Sequence, residues 1–259
     1  MKVNKDILDV VVTGMEYSGT TLLGNLLNSA MPHSGGAFEC GLLLAQSPIN
    51  FSNQAPFYDW FSTTETIGHW GLSITARNEI ISQDNFQLAY TVLAREYSKV
   101  CGVEVRKIID KTPAYAFNLI SVTSKIDTKV PLLITYKDIY SLYHSYKKRK
   151  RNLWAFSYWL NKFIFNLKSI HGRKNVLIIS QASMAVNPDA VLKKLSLFFH
   201  DIELNSVGKL NYKLNPLKKN YSLEQERIDA KKGLNPIEKI ILQFFDFRLR
   251  RVLVKFEVI

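Results

Sequence analysis

The chain has 259 residues, with 34 lysines and arginines against 22 aspartates and glutamates, for a formal charge of +12. At 47% hydrophobic and 22% charged residues the composition is globular, which excludes a disordered or low-complexity chain. The charge is lopsided: residues 1–100 carry five basic and nine acidic side chains, residues 101–259 carry 29 and 13, so a partner with negative charge is expected. In chain order, the β-branched run at 7–12 predicts a strand buried on both faces, and the leucine-rich stretch after Thr21 predicts a helix. Further strands are expected at 105–109, 132–136 and 175–179, and helices at 78–100, 140–150, 152–169, 189–199 and 236–255, with Pro188 starting the fourth of these. Residues 32–77, rich in Gly, Pro and aromatics, are expected to be irregular, as an insertion over an active-site face often is. Recurring βα units imply an α/β fold with a central parallel sheet, and no linker divides 1–259, so a single domain is expected.

Several chemistries drop out. Cys40 and Cys101 stand far apart, which leaves no disulfide framework and no four-cysteine zinc site. The five histidines form no HExxH or other metal pattern, so no metal is expected. The N-terminal residues lack the apolar stretch and cleavage site of a signal peptide, and the most apolar C-terminal run, 237–259, is interrupted by charges. A cytoplasmic protein is expected.

The stretch Gly14-Met15-Glu16-Tyr17-Ser18-Gly19-Thr20-Thr21 lies between the first strand and the first helix. Glycines so placed let the backbone wrap an anion, and the helix start adds N–H groups and partial positive charge. A nucleoside-triphosphate loop would read GxxxxGK[ST]. Thr20 stands in the lysine position, which disfavours a P-loop kinase.

Tyr17-Ser18-Gly19-Thr20-Thr21-Leu22-Leu23 resembles the 5′-phosphosulfate loop of the sulfotransferase family, [K/R]-S-G-T-T followed by apolar residues. The segment 132–139, with Ser145 eight residues beyond Lys137, is similar to the family's strand that ends in R-[DN]-P and its following serine. Ile109-Asp110-Lys111-Thr112-Pro113-Ala114-Tyr115 resembles the [E/D]-K-[ST]-P-x-Y segment of carbohydrate and protein sulfotransferases. Strand 176–179 and the Asn187-Pro188-Asp189 helix start are similar to the family's later elements. The resemblance covers most of residues 8–200 and implies a P-loop-type three-layer α/β/α fold with a central parallel sheet, and transfer of a sulfuryl group from 3′-phosphoadenosine 5′-phosphosulfate (PAPS) to a hydroxyl acceptor, carbohydrate-like in this branch. It implies that Ser18, Gly19, Thr20 and Thr21 hold the 5′-phosphosulfate, and that Lys137 and Ser145 hold the 3′-phosphate. Lys111 would lie near the reacting centre and assist the leaving group. Lys231-Lys232-Gly233 resembles the basic glycine loop over the 3′-phosphate, which adds Lys232 and Gly233 to the nucleotide site.

Two positions depart from the family. Tyr17 replaces the lysine or arginine before Ser-Gly-Thr-Thr, and Lys137 replaces the arginine of the 3′-phosphate strand. Negative charge builds on the departing phosphate oxygen, where a preorganised donor is worth roughly 2.7–4 kcal/mol. Tyr17 offers one neutral hydrogen bond, and Glu16 beside it adds a negative charge. Two readings follow: an active sulfotransferase that draws its cation from elsewhere, or an impaired relative that binds a 3′,5′-bisphosphorylated nucleotide or another anion without transfer. Lysine at 137 still pairs with phosphate but loses the bidentate fork of arginine.

The acceptor hydroxyl must lose a proton to a base. Glu39, glycine-flanked and among apolar residues, occupies the place from which several carbohydrate and protein sulfotransferases take a glutamate base; His69 is the runner-up. Cys40 reads as a buried small residue. The run Lys147-Lys148-Arg149-Lys150-Arg151 reads either as a solvated helix end or as a contact for an acidic acceptor or an anionic membrane surface. No nucleic-acid motif is present, so no nucleic-acid partner is expected. The amphipathic, basic 236–255 helix could pack on the sheet, form a homodimer or lie on a membrane.

Overall fold

Strand alternation builds two cores, one on each face of a single sheet. The computed structural model describes residues 2–31, 33–37, 39–62, 69–198 and 223–259. Strands β1 (Leu8–Gly14), β2 (Ser34–Gly35), β3 (Lys107–Lys111), β4 (Leu132–Tyr136) and β5 (Val176–Ser180) pair in parallel, in the order β2-β3-β1-β4-β5. Because successive side chains point to opposite faces, Ile108, Ile134 and Ile178 enter one core and Ile109, Leu133 and Ile179 the other. The helices among the described residues are α1 (Thr20–Ala30), α2 (Ile74–Ile81), α3 (Phe86–Cys101), α4 (Leu119–Lys125), α5 (Ile139–Lys148), α6 (Leu153–Ser169), α7 (Gln181–Val186), α8 (Pro188–Phe198), α9 (Leu223–Lys232) and α10 (Pro236–Leu253). Residues of α3 to α6 and α10 fill the first core, residues of α1, α7 and α8 the second, which gives the three layers.

After β1 the chain builds β2 and β3 on one side of it and then β4 and β5 on the other. The order therefore reverses at β1, and the crevice for a ligand opens at the carboxyl ends of β3, β1 and β4. The outer edge of β5 is covered by the C-terminal residues: Ile178 N–H donates to the Glu257 carbonyl at 3.1 Å and Ser180 N–H to that of Ile259 at 2.8 Å.

Most boundaries shift by one or two residues, and three regions differ in a way the structure explains. The helix expected at 78–100 is two helices, because Ser73 and Asn85 each cap a new start by accepting from Ala76 N–H and Leu88 N–H. The strand expected at 105–109 runs two residues later, since Val105 N–H is taken by the Ser98 hydroxyl at 2.9 Å rather than by a neighbouring strand. The irregular 32–77 region holds the short β2 and single helical turns that bury Phe51 and Phe61, with Trp70 packed beside Phe61. Phe199, at the end of the expected 189–199 helix, and His200 lie outside the described residues. Among the described residues no helix is long and apolar enough to cross a membrane.

Candidate functional site

Residues 14–20 turn the chain from β1 into α1. Tyr17 and Gly19 both take positive φ, 69° and 100°, and a Cβ at Gly19 would lie 2.8 Å from Gln181 Cγ of α7, so that turn requires glycine. Ser18 is fully buried. Its hydroxyl donates to the Met15 carbonyl at 2.6 Å and shares a hydrogen bond with Thr135 Oγ1 of β4 at 2.7 Å. Ser18 thus ties the loop to the sheet with its hydroxyl, which leaves the main chain and the Thr20 and Thr21 hydroxyls for an anion. Helix α1 starts at Thr20 with no side-chain cap, which leaves first-turn N–H groups and the positive end of the helix dipole at the crevice. Thr20 is buried there, and Thr21 is exposed.

The β3 side of the crevice rests on strand alternation. Lys111 points to the α1 face, where the missing side chain of Gly24 lets its stem lie close: a Cβ at Gly24 would sit 3.2 Å from Lys111 Cγ. Lys111 is 5% exposed, and its Nζ lies 3.8 Å from Oε1 of Glu39, which is 18% exposed. Burial pulls the Lys111 ammonium below the ordinary lysine value, with Glu39 and Asp110 opposing. Burial likewise lifts the Glu39 carboxyl, with Glu16 and Asp110 adding to the rise and Lys111 opposing it. At this separation the attraction does not offset the loss of hydration.

Asp110 points to the opposite face and is fully buried. Its Oδ2 accepts from Tyr90 OH of α3 and from Tyr115 OH at 2.7 Å, and its Oδ1 accepts from Thr112 Oγ1 at 2.9 Å. Burial still lifts its carboxyl, against these hydrogen bonds and that of the Cys40 thiol. The network reaches on: Gly41 N–H donates to Thr112 Oγ1 at 2.9 Å and Leu43 N–H to Tyr115 OH at 3.0 Å. The segment that follows Glu39 is therefore fixed from beneath, and Trp70 Nε1 donates to the Glu39 carbonyl at 3.3 Å. His69, the other candidate base, is half-buried and adjoins Trp70 in the chain. Tyr90 and the role of Asp110 were not foreseen from sequence; the alternation of Asp110 with Lys111 on one strand was the available signal.

On the β4 side, Lys137 is half-buried just after the strand. Asp138 caps α5 by accepting from Tyr140 and Ser141 N–H, both at 3.2 Å, and pairs with Arg227 of α9 at 3.1 Å. The Ser145 hydroxyl donates back to the Ser141 carbonyl at 3.0 Å, which leaves its lone pairs outward, so donation to a phosphate requires the hydroxyl to rotate. Lys232 pairs with Asp229 of its own helix at 3.8 Å. Gly233 is held through its carbonyl by Lys147 Nζ at 3.2 Å, and the same ammonium bonds both Glu238 oxygens at 2.9 and 3.1 Å.

The basic run at the end of α5 is not merely a solvated helix end. Besides Lys147, Arg149 lies over the Tyr17 ring, its Cζ 3.9 Å from the centroid, and Arg151 pairs with Glu16 at 2.7 Å. Three of the five cations thus have defined partners, two of them on the loop after β1. Among the described residues no group of three His, Cys, Asp or Glu side chains is placed to hold a metal.

No family model matches the chain, and no curated protein does. Solved structures do match. The sulfotransferase domain of the Synechococcus PCC 7002 olefin synthase superposes with a TM-score of 0.61 at 14% identity, over 95% of this chain and 96% of that one. The chain has the sulfotransferase fold. The sulfotransferase domain of the curacin biosynthetic pathway matches equally, at TM-score 0.61 and 17% identity, over 96% and 98%. In this sulfotransferase fold, the β1–α1 turn and the ends of β3 and β4 surround one crevice.

Proposed function

We propose that the protein is a PAPS-dependent sulfotransferase, a single domain acting on a hydroxyl acceptor of carbohydrate-like class. The observation that carries the reading is the buried Lys111–Glu39 pair at the end of β3, facing the uncapped start of α1. In the transfer the acceptor oxygen bonds to sulfur, the sulfur–phosphate oxygen bond breaks, and the acceptor proton must go to a base. Glu39 is the base, its proton affinity raised by burial. Lys111 supplies positive charge at the departing phosphate oxygen. The N–H groups of residues 19–21 receive the 5′-phosphosulfate, while Lys137 and Ser145 receive the 3′-phosphate, with Lys232 and Gly233 at its margin. An uncapped helix start and a half-buried lysine just after β4 fit a nucleotide that carries anionic groups at both its 5′ and 3′ positions.

Tyr17 favours a second reading, a relative that binds the bisphosphate without transfer. Calorimetry with adenosine 3′,5′-bisphosphate and with ATP, followed by transfer from PAPS to a panel of hydroxyl acceptors, separates the two. The bisphosphate is expected to bind more tightly than ATP, and at least one acceptor to be sulfated. Tight bisphosphate binding without transfer selects the second reading, and a preference for ATP overturns both.

A further inference from the structure

We propose that Arg149, held over the ring of Tyr17, supplies positive charge to the phosphosulfate from the α5 side of the β1–α1 turn. This rests on the sulfotransferase reading. It assigns Arg149 as an anion-binding residue and Tyr17 as its positioning residue. Tyr17 holds a left-handed conformation, φ 69°, that side chains seldom adopt, and its ring is gripped on two sides. Tyr146 of α5, almost fully buried, meets it edge-on with centroids 5.3 Å apart. Arg149 covers it at 3.9 Å. Stacking occupies the flat face of a guanidinium and leaves its in-plane N–H donors available. One of these reaches the Ser145 carbonyl at 3.3 Å, which puts the cation between the β1–α1 turn and the serine assigned to the 3′-phosphate.

The charges around the turn also add up. Glu16, the acid beside Tyr17, is matched by Arg151 at 2.7 Å. Arg149 then adds one positive charge with no carboxylate partner in the contacts described. Lys111 is set against Glu39 on the other side of the crevice. A tyrosine at position 17 therefore brings in a charge from another element of the chain, and its ring, not its hydroxyl, does so.

The test uses the full chain and two probes: adenosine 3′,5′-bisphosphate, and adenosine 5′-phosphosulfate, which has no 3′-phosphate. Arg149→Gln is expected to weaken both by about tenfold and to flatten their salt dependence. Arg149→Lys should recover part of the loss, Tyr17→Phe should bind like the wild type, and Tyr17→Ala should resemble Arg149→Gln. The double variant should lose little more than either single one, since the two residues act as one unit. Arg149 is exposed at a helix end, so its variants keep the fold, which circular dichroism checks. Unchanged binding in both Arg149→Gln and Tyr17→Ala overturns the inference alone. So does a loss confined to the bisphosphate, which would put Arg149 at the 3′-phosphate, or Tyr17→Phe behaving as Tyr17→Ala. Wild-type protein that binds neither probe overturns the sulfotransferase reading, and the inference with it.

Discussion

The two sides of the crevice are held in opposite ways. On the β3 side, Glu39 and Lys111 rest on a carboxylate that is buried completely and accepts from two tyrosines and a threonine. On the α5 side, Tyr17 and Glu16 are held by arginines in contact with solvent; the Arg151–Glu16 side chains are 43% and 41% exposed. Buried polar networks are rigid and costly to break, whereas surface cation–π contacts and ion pairs contribute little each and weaken in salt. The side assigned to proton transfer is thus preorganised at low dielectric, and the side assigned to nucleotide charge is soft and screened. Substitutions on the first should damage stability and rate together, and those on the second should change nucleotide affinity with the fold intact.

The largest effect is expected from Asp110→Asn. The amide turns one acceptor into a donor in a site where every neighbouring hydroxyl already donates. At least one buried hydrogen bond is lost and a donor is left unmatched, at a cost of about 2–3 kcal/mol in denaturant unfolding. Because Thr112 and Tyr115 also carry Gly41 N–H and Leu43 N–H, Glu39 should shift and sulfate transfer should fall by about tenfold or more. Tyr90→Phe, which removes one donor and keeps the ring, should cost only about 1 kcal/mol. An Asp110→Asn protein as stable and active as the wild type would remove the distinction between the two sides.

A second expectation concerns pH. In the proposed reaction Glu39 acts ionised and Lys111 protonated, and burial moves the first up from 4.5 and the second down from 10.5. The rate should rise with pH through a value above that of an ordinary glutamate and fall again below that of an ordinary lysine, giving a bell narrowed from both ends. The stability sign follows from the same shift. A carboxyl whose folded pKa is raised stabilises the fold below its unfolded pKa, and that contribution is lost as pH rises through the folded value. Glu39→Gln should therefore lose transfer yet match or exceed the wild-type Tm at neutral pH, with the gap closing in acid below 4.5, where the wild-type carboxyl is protonated too. A rate profile with limbs at the ordinary values would mean that the pair is hydrated.

Much of this was legible in the sequence for physical reasons. Strand, glycine turn and leucine helix at 8–30 are local patterns, and local patterns specify β1, α1 and the turn between them. Lys111, Lys137 and Ser145 stand in motifs whose spacing reflects strand ends and helix turns, and they lie at the end of β3, just after β4 and within α5. The support beneath them was not legible, because Asp110 finds Tyr90 in α3, 20 residues earlier, with no signature linking the two. The basic run shows the same limit. Its charges are evident in the sequence, but the destinations of Arg149 and Arg151 depend on where the end of α5 arrives after folding. The break between α2 and α3 was missed because capping by Asn85 competes with helix continuation, and periodicity alone does not reveal which prevails.

The smallest effect is expected at Glu16 and Arg151. Each side chain is more than two-fifths exposed, so their pairing should contribute only about 0.2–1 kcal/mol. Glu16→Gln and Arg151→Gln should each shift unfolding by no more than that, and the shift should vanish near 1 M salt, where the screening length is about 3 Å. Their effects on nucleotide should carry opposite signs. Glu16→Gln leaves Arg151 unmatched beside the turn and should tighten adenosine 3′,5′-bisphosphate slightly, whereas Arg151→Gln leaves the carboxylate and should weaken it. A titration series from low to high ionic strength reads both. Equal and opposite changes that converge at high salt would mark a screened, electrostatic side of the crevice. A change of the same sign in both, or one that persists in salt, would mean that the ion pair shapes the turn itself, and the α5 side would then be as preorganised as the β3 side.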